Sequence, residues 1–128
     1  MSFDYTVESS KKPLELMESL EGELKEEGFG VLWSFNVKEK LQEKGLDYND
    51  NFHILEVCNP KDAQEILGHS KLAGYFLPCK VVVYEDEGKT FAGMPQPSTL
   101  MDFIDDTEVH KLANDVEKRM ISCLEKAK

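Results

Sequence analysis

Hydrophobic periodicity along the chain switches between two and about 3.6 residues, and the switches mark the elements. Phe3, Tyr5 and Val7 alternate with Asp4, Thr6 and Glu8. That pattern predicts a half-buried strand near a sheet edge. Pro13 suits the first turn of a helix, with Ser9 and Ser10 offering caps before it. Leu14, Met17, Leu20 and Leu24, with Leu16 beside them, predict one apolar helical face through about Glu27, ended by Gly28. Period two returns over 30–36, where Val31, Trp33 and Phe35 are expected on one face and Leu32 on the other. Asn36 and Glu39 form a capping-box pattern for a short helix that carries Leu41 and ends near Gly45.

A third strand is predicted over 52–58, with Phe52, Ile54, Glu56 and Cys58 on one face and Leu55 and Val57 on the other. Asn59-Pro60 then supplies a cap and a proline at the first helical position, and this helix stops near Gly68. Residues 69–76 read as irregular or as a helical turn. The strongest strand signal is Leu77-Pro78-Cys79-Lys80-Val81-Val82-Val83-Tyr84-Glu85. Val81 and Val83 face one way and Val82 and Tyr84 the other, so both faces are apolar and the strand belongs mid-sheet, covered on both sides. Pro78 has no backbone donor and fits the strand's entrance. Asp86-Glu87-Gly88 is a hairpin turn, followed by a short return strand at Thr90, Phe91 and Ala92.

Met94-Pro95-Gln96-Pro97-Ser98 interrupts regular structure, and Leu100, Met101, Phe103 and Ile104 suggest a helical turn that anchors it. Thr107 is placed to cap the last helix, with Asp105, Asp106 and Glu108 near its positive end. Its apolar stripe is Val109, Leu112, Ala113, Val116, Met120, Cys123 and Leu124. The expected fold is α+β. It is a single domain over 1–128, with a roughly five-stranded, mostly antiparallel sheet and two long helices packed on one face. Two helices are few for a sheet apolar on both sides. A second copy of the chain is therefore expected to cover part of the other face, giving a homodimer.

Composition narrows the partners. The formal net charge of −10 repels phosphate backbones and anionic lipid, so neither nucleic acid nor a membrane is expected. No apolar run approaches the roughly 20 residues that span a bilayer. Residues 1–5 carry no basic segment leading into an apolar run, and the expected compartment is the cytoplasm. Three cysteines at wide spacing, with no C-x-x-C pair, make neither a disulfide framework nor a zinc finger.

Cys58 immediately precedes Asn59-Pro60, at the mouth of a helix N-terminus, where partial positive charge favours a thiolate. It reads as a nucleophile, redox centre or metal ligand, or as a small apolar filler at a strand end. Cys79 shares an end of the sheet with Cys58 only if the strands over 52–58 and 80–85 run antiparallel. Cys123 belongs to the core stripe. A metal site assembled from His53 with Cys58 and Cys79 has no spacing signature behind it. His69 and His110 read as surface or structural residues. Glu56 lies at an edge or is buried with a partner, for which Lys80 is one candidate. Glu21, Glu23, Glu26 and Glu27 read as a solvated helix face. Phosphate-loop, G-x-S-x-G and H-E-x-x-H patterns are lacking, and no cofactor is called for.

Three segments carry a resemblance: Gly28-Phe29-Gly30-Val31, Cys58-Asn59-Pro60 and the strand motif from Leu77 to Glu85. In this order they resemble the bacterial and archaeal family called domain of unknown function 302, over about residues 3–126. The resemblance implies a small cytoplasmic α+β domain, commonly dimeric, and carries over no catalytic residue. Two functions remain in view. One is a dimeric module that binds a small molecule or a protein partner through a pocket lined by Cys58, Asn59, Pro78 and Cys79. The other is a thiol redox pair, or a soft-metal site such as zinc, built on Cys58 and Cys79.

Overall fold

The computed structural model describes residues 3–128; Met1 and Ser2, which the single-domain reading includes, lie outside the described residues. Five strands form one sheet: β1 (Asp4–Ser9), β2 (Gly30–Asn36), β3 (Phe52–Cys58), β4 (Cys79–Asp86) and β5 (Lys89–Pro95). Their order is β1-β5-β4-β3-β2, and every neighbouring pair runs antiparallel. β4 stands in the middle and β1 at an edge, as their patterns predict. The helices are α1 (Pro13–Glu26), α2 (Val37–Glu43), α3 (Pro60–His69), α4 (Pro97–Met101) and α5 (Thr107–Ala127), with a 3₁₀ segment at Lys71–Phe76. Three short helices and this segment thus join the two long ones.

The core lies between the sheet and a layer made by α1 and α5, which also pack on each other. From the sheet come Val7, Leu55, Val57, Val81, Val83, Ala92 and Met94; from α5 come Val109, Ala113, Val116, Met120, Cys123 and Leu124. Leu16, Leu20 and Leu24 of α1 recur every fourth residue and are at most 1% exposed. Each such leucine contributes about 1.5–3 kcal/mol through burial. Leu14, expected on that face, is instead 69% exposed. The stripe is narrow because α5 and the sheet meet α1 along one line. Asp106, rather than Thr107, caps α5, accepting a hydrogen bond from Val109 N at 3.0 Å.

β2 departs from simple alternation. Val31 pairs with Val57 and Trp33 with Glu56, so the register shifts at Leu32. One extra residue at this bulge turns Trp33 and Phe35 outward while Val31 packs against the core. β5 is longer than its apolar core suggests, reaching Pro95 opposite Asp4.

The expectation that β4 is covered on both sides holds for one side only within this chain. Val81 and Val83 are 1% and 0% exposed, whereas Val82 and Tyr84 remain half-buried. The outward face carries Trp33 and Phe35 from β2, Phe52 and Ile54 from β3, and Phe91 from β5. Phe52, Tyr84 and Phe91 form a row of stacked rings with centroids 5.4 and 5.5 Å apart. Trp33 stacks on Phe35 at 5.3 Å.

Candidate functional site

All three motif segments converge at one end of the sheet. Gly30 pairs with Cys58 and Val57 with Cys79, so the antiparallel arrangement brings both cysteines to the same end. Asn59 holds the junction. Its side-chain oxygen accepts from Asp62 N at 3.2 Å, capping α3, and its amide donates to the Glu27 carbonyl at 3.4 Å. Gly28 adopts φ +83, and a Cβ there would stand 3.1 Å from Asn59 Nδ2. The left-handed backbone favours glycine here, and a Cβ would crowd the Asn59 amide. Phe29, 4% exposed, lies beneath the Arg119 guanidinium, whose carbon is 5.3 Å from the ring centroid. Arg119 also pairs with Asp62 of α3 and, at 2.8 Å, with Asp115.

The electrostatics run against an activated thiol. Burial pushes the Cys58 thiol pKa up, and the nearby Asp62 carboxylate adds to the rise. This direction is opposite to the thiolate that the helix N-terminus was expected to favour. Cys79 is pushed up to about 11, by burial first and then by charge on Cys58, Glu56 and Asp62. Cys123 also rises to about 11, chiefly through burial, with Glu27 and Glu23 adding to it. Its Sγ donates to the Glu23 carbonyl at 3.5 Å. All three cysteines are unpaired.

His53 is not brought to the cysteines. It sits five residues from Cys58 along β3, about 17 Å at the usual strand rise, opposite Val83 and Asn36. Among the described residues, no group of three or more His, Cys, Asp or Glu side chains converges as a metal site would require.

The four residues expected to share a pocket divide between two cavities. Cys58 and Asn59 border a void of about 20 Å³ among Phe29, Ile66, Ala113 and Val116, and Cys79 reaches it too. That space holds little more than one water. Pro78 and Cys79 line a second cavity of about 350 Å³. Its walls are Tyr75, Phe76 and Leu77 on one side and Pro95, Pro97, Leu100 and Met101 on the other, with Glu56 and Lys80 at its border. The Leu77–Pro78 peptide bond that enters this wall is cis. Glu56 and Lys80 stand opposite each other in the β3–β4 register, and no ion pair joins them among the described residues. Lys80 is therefore Glu56's neighbour without being its ionic partner.

Sequence reasoning missed Tyr75, Phe76, Leu100 and Met101, because the cavity forms only where the 3₁₀ segment meets α4. The one available signal was the apolar pairs Phe76-Leu77 and Leu100-Met101 flanking segments that look irregular. A larger concavity of about 840 Å³ between α1 and α5 is lined by Glu15, Glu18, Glu23 and Glu26. These carboxylates are a solvated face, and the groove's lining is mostly polar where that of the Pro78 cavity is mostly apolar.

The chain is thus a small α+β domain whose single antiparallel sheet is helix-covered on one face, with a cavity at one end of the sheet. It belongs to the DUF302 family, domain of unknown function DUF302, whose model matches residues 5–127. A solved structure described as an uncharacterized conserved protein DUF302 from Bacillus stearothermophilus is 50% identical, covers 100% of both chains and superposes with a TM-score of 0.97. Comparison with curated proteins finds no match. Among the described residues, no helix is long and apolar enough to cross a membrane.

Proposed function

We propose that this protein is a homodimeric binding module that takes a small, largely apolar molecule into the Pro78–Cys79 cavity. The observation that carries the reading is the cavity itself. Its volume of about 350 Å³ lies within the usual range for small-molecule sites, about 300–1,000 Å³, and such sites combine apolar walls with a few polar groups. Glu56 and Lys80 supply those groups. Three free thiols fit a reducing compartment, and the reading places the module in the cytoplasm.

The test uses an apolar probe, anilinonaphthalene sulfonate, followed by amide NMR shifts. Shifts concentrated at 76–80 and 100–101, and lost when Leu100→Trp fills the cavity, are expected. No shifts there, or shifts confined to the outward face at Val82 and Tyr84, would overturn the cavity as the site.

A thiol-redox or soft-metal role has one observation in its favour, the placement of Cys58 and Cys79 at the same sheet end. Burial opposes it, since both thiols are held protonated near neutral pH.

A further inference from the structure

The border of the Pro78–Cys79 cavity carries one group of each charge, and the chain itself uses neither. Glu56 on β3 and Lys80 on β4 stand directly opposite each other. Side chains so placed have Cβ atoms about 4.5–5.5 Å apart, and opposite charges there stabilise the strand pair when they meet. Here they do not meet. Among the described residues, neither side chain enters an ion pair or a hydrogen bond. Glu56 is half-buried, where an unpaired charge is costlier than on open surface. Lys80 is exposed and free to swing over the opening.

We infer that the ligand is a free α-amino acid with a large apolar side chain. Its ammonium pairs with Glu56, its carboxylate with Lys80, and its side chain enters the cavity. The assignment rests on the small-molecule reading of this cavity given above and adds the ligand class to it.

Charge decides among the apolar molecules that could enter. A carboxylic acid would pair with Lys80 but bring a second anion beside Glu56. An amine would pair with Glu56 but bring a second cation beside Lys80. Only a zwitterion satisfies both groups at once. It is also neutral overall, so the chain's net charge of −10 does not repel it as it repels a free anion. Both charges must lie at one end of the ligand, because Glu56 and Lys80 are neighbours across one ladder. A free amino acid has that form, whereas a peptide terminus carries only one of the two charges.

The interior accounts for the rest of the molecule. Phe76, Leu77, Leu100 and Met101 offer an ammonium or a carboxylate no countercharge, and Met101, 2% exposed, lies at depth. Tyr75 lines the same cavity yet is 84% exposed, which puts it at the opening. A cavity of about 350 Å³ is at the small end of the range for ligand sites, about 300–1,000 Å³, and suits a molecule the size of leucine or phenylalanine.

The test titrates the full chain with L-phenylalanine and L-leucine, followed by amide NMR. Three further probes each lack one part of phenylalanine: 3-phenylpropanoate has no ammonium, 2-phenylethylamine no carboxylate, and glycine no side chain. Shifts at 76–80 and 100–101 are expected with at least one of the two amino acids, which binds about 10-fold or more tightly than any of the three partial probes. That factor follows from the strength of one charge-assisted hydrogen bond. Glu56→Gln is expected to weaken the amino acid about 10-fold while leaving 3-phenylpropanoate unweakened. Lys80→Met is expected to weaken it as much while leaving 2-phenylethylamine unweakened. Circular dichroism checks that both variants fold. Partial probes that bind as tightly as the amino acids, or amino-acid affinity unmoved in both variants, overturn the ligand class. So do amino acids that shift nothing where anilinonaphthalene sulfonate shifts these same amides, and in each of these cases the cavity remains a site. No shift at these amides with any probe, anilinonaphthalene sulfonate included, overturns the cavity reading as well.

Discussion

Leu20→Ala and Leu14→Ala remove the same atoms from the same helix, yet the structure assigns them opposite consequences. Leu20 is 0% exposed, packed in the core between α1, α5 and the sheet, whereas Leu14 is 69% exposed. Truncating a fully buried leucine loses its transfer free energy and leaves a cavity, together about 2.7–5 kcal/mol. Taking ~3 kcal/mol, and an unfolding entropy near 2.1 cal/mol/K per residue over 128 residues, the melting temperature should fall by about 11 °C. Leu14→Ala loses little burial and gains slightly in helix propensity, so its change should stay within about 0.5 kcal/mol. Urea denaturation of both variants beside the parent, with equal m-values, measures the two numbers. Equal destabilisation by the two substitutions would refute the placement of the α1 stripe, because it would put Leu14 on the core face as the periodicity suggested.

Three further outcomes are expected. Burial, more than any neighbouring charge, holds the pKa of His53 below the ordinary value of 6.5. Above 6.5 both folded and unfolded forms are neutral; as pH falls through 6.5 toward the lower folded value, the unfolded chain takes up a proton that the fold resists. Stability should therefore decline over that window, and less so in His53→Gln; identical pH profiles for parent and variant would contradict this. At Gly93 an added Cβ would stand 2.6 Å from Thr6 Oγ1 and 3.1 Å from the Tyr5 carbonyl. Gly93→Ala should cost about 1–3 kcal/mol by thermal melting, partly recovered by Thr6→Ala, and a neutral Gly93→Ala would show that β1 yields easily. In native buffer near neutral pH, Ellman's reagent should react slowly with all three thiols and fully after denaturation, because burial raises each pKa. Two fast thiols would instead promote the redox or metal reading.

Much of the architecture was legible because local patterns and tertiary packing agree. The Val81–Tyr84 run declared a central strand, Asn59-Pro60 a helix start, and the Val109–Leu124 stripe a core helix; each stands where its pattern puts it. The misses have particular causes. Leu14 failed because periodicity identifies a broad apolar arc, while only contact with α5 and the sheet decides which part of it is buried. Trp33 and Val31 separated because a bulge is a property of two paired strands, visible only in their register. The site was half legible. The motifs named Pro78 and Cys79, but the cavity walls at Tyr75, Phe76, Leu100 and Met101 come from segments without strong periodicity.

The sequence by itself determined most of the element types, the net acidic charge and the buried character of Cys123, since these follow from local spacing and composition. Tertiary structure alone decided the strand order, and with it whether Cys58 and Cys79 meet. It also reversed the expected shift of the Cys58 thiol, because desolvation and the proximity of Asp62 depend on what folds over that strand end. Alternation in β4 could say that both faces are apolar. Two long helices on one face were already expected, and a single helical layer can bury just one side of a sheet; only the bulge in β2 decided that Trp33 and Phe35 join the uncovered aromatic face while Val31 packs inward.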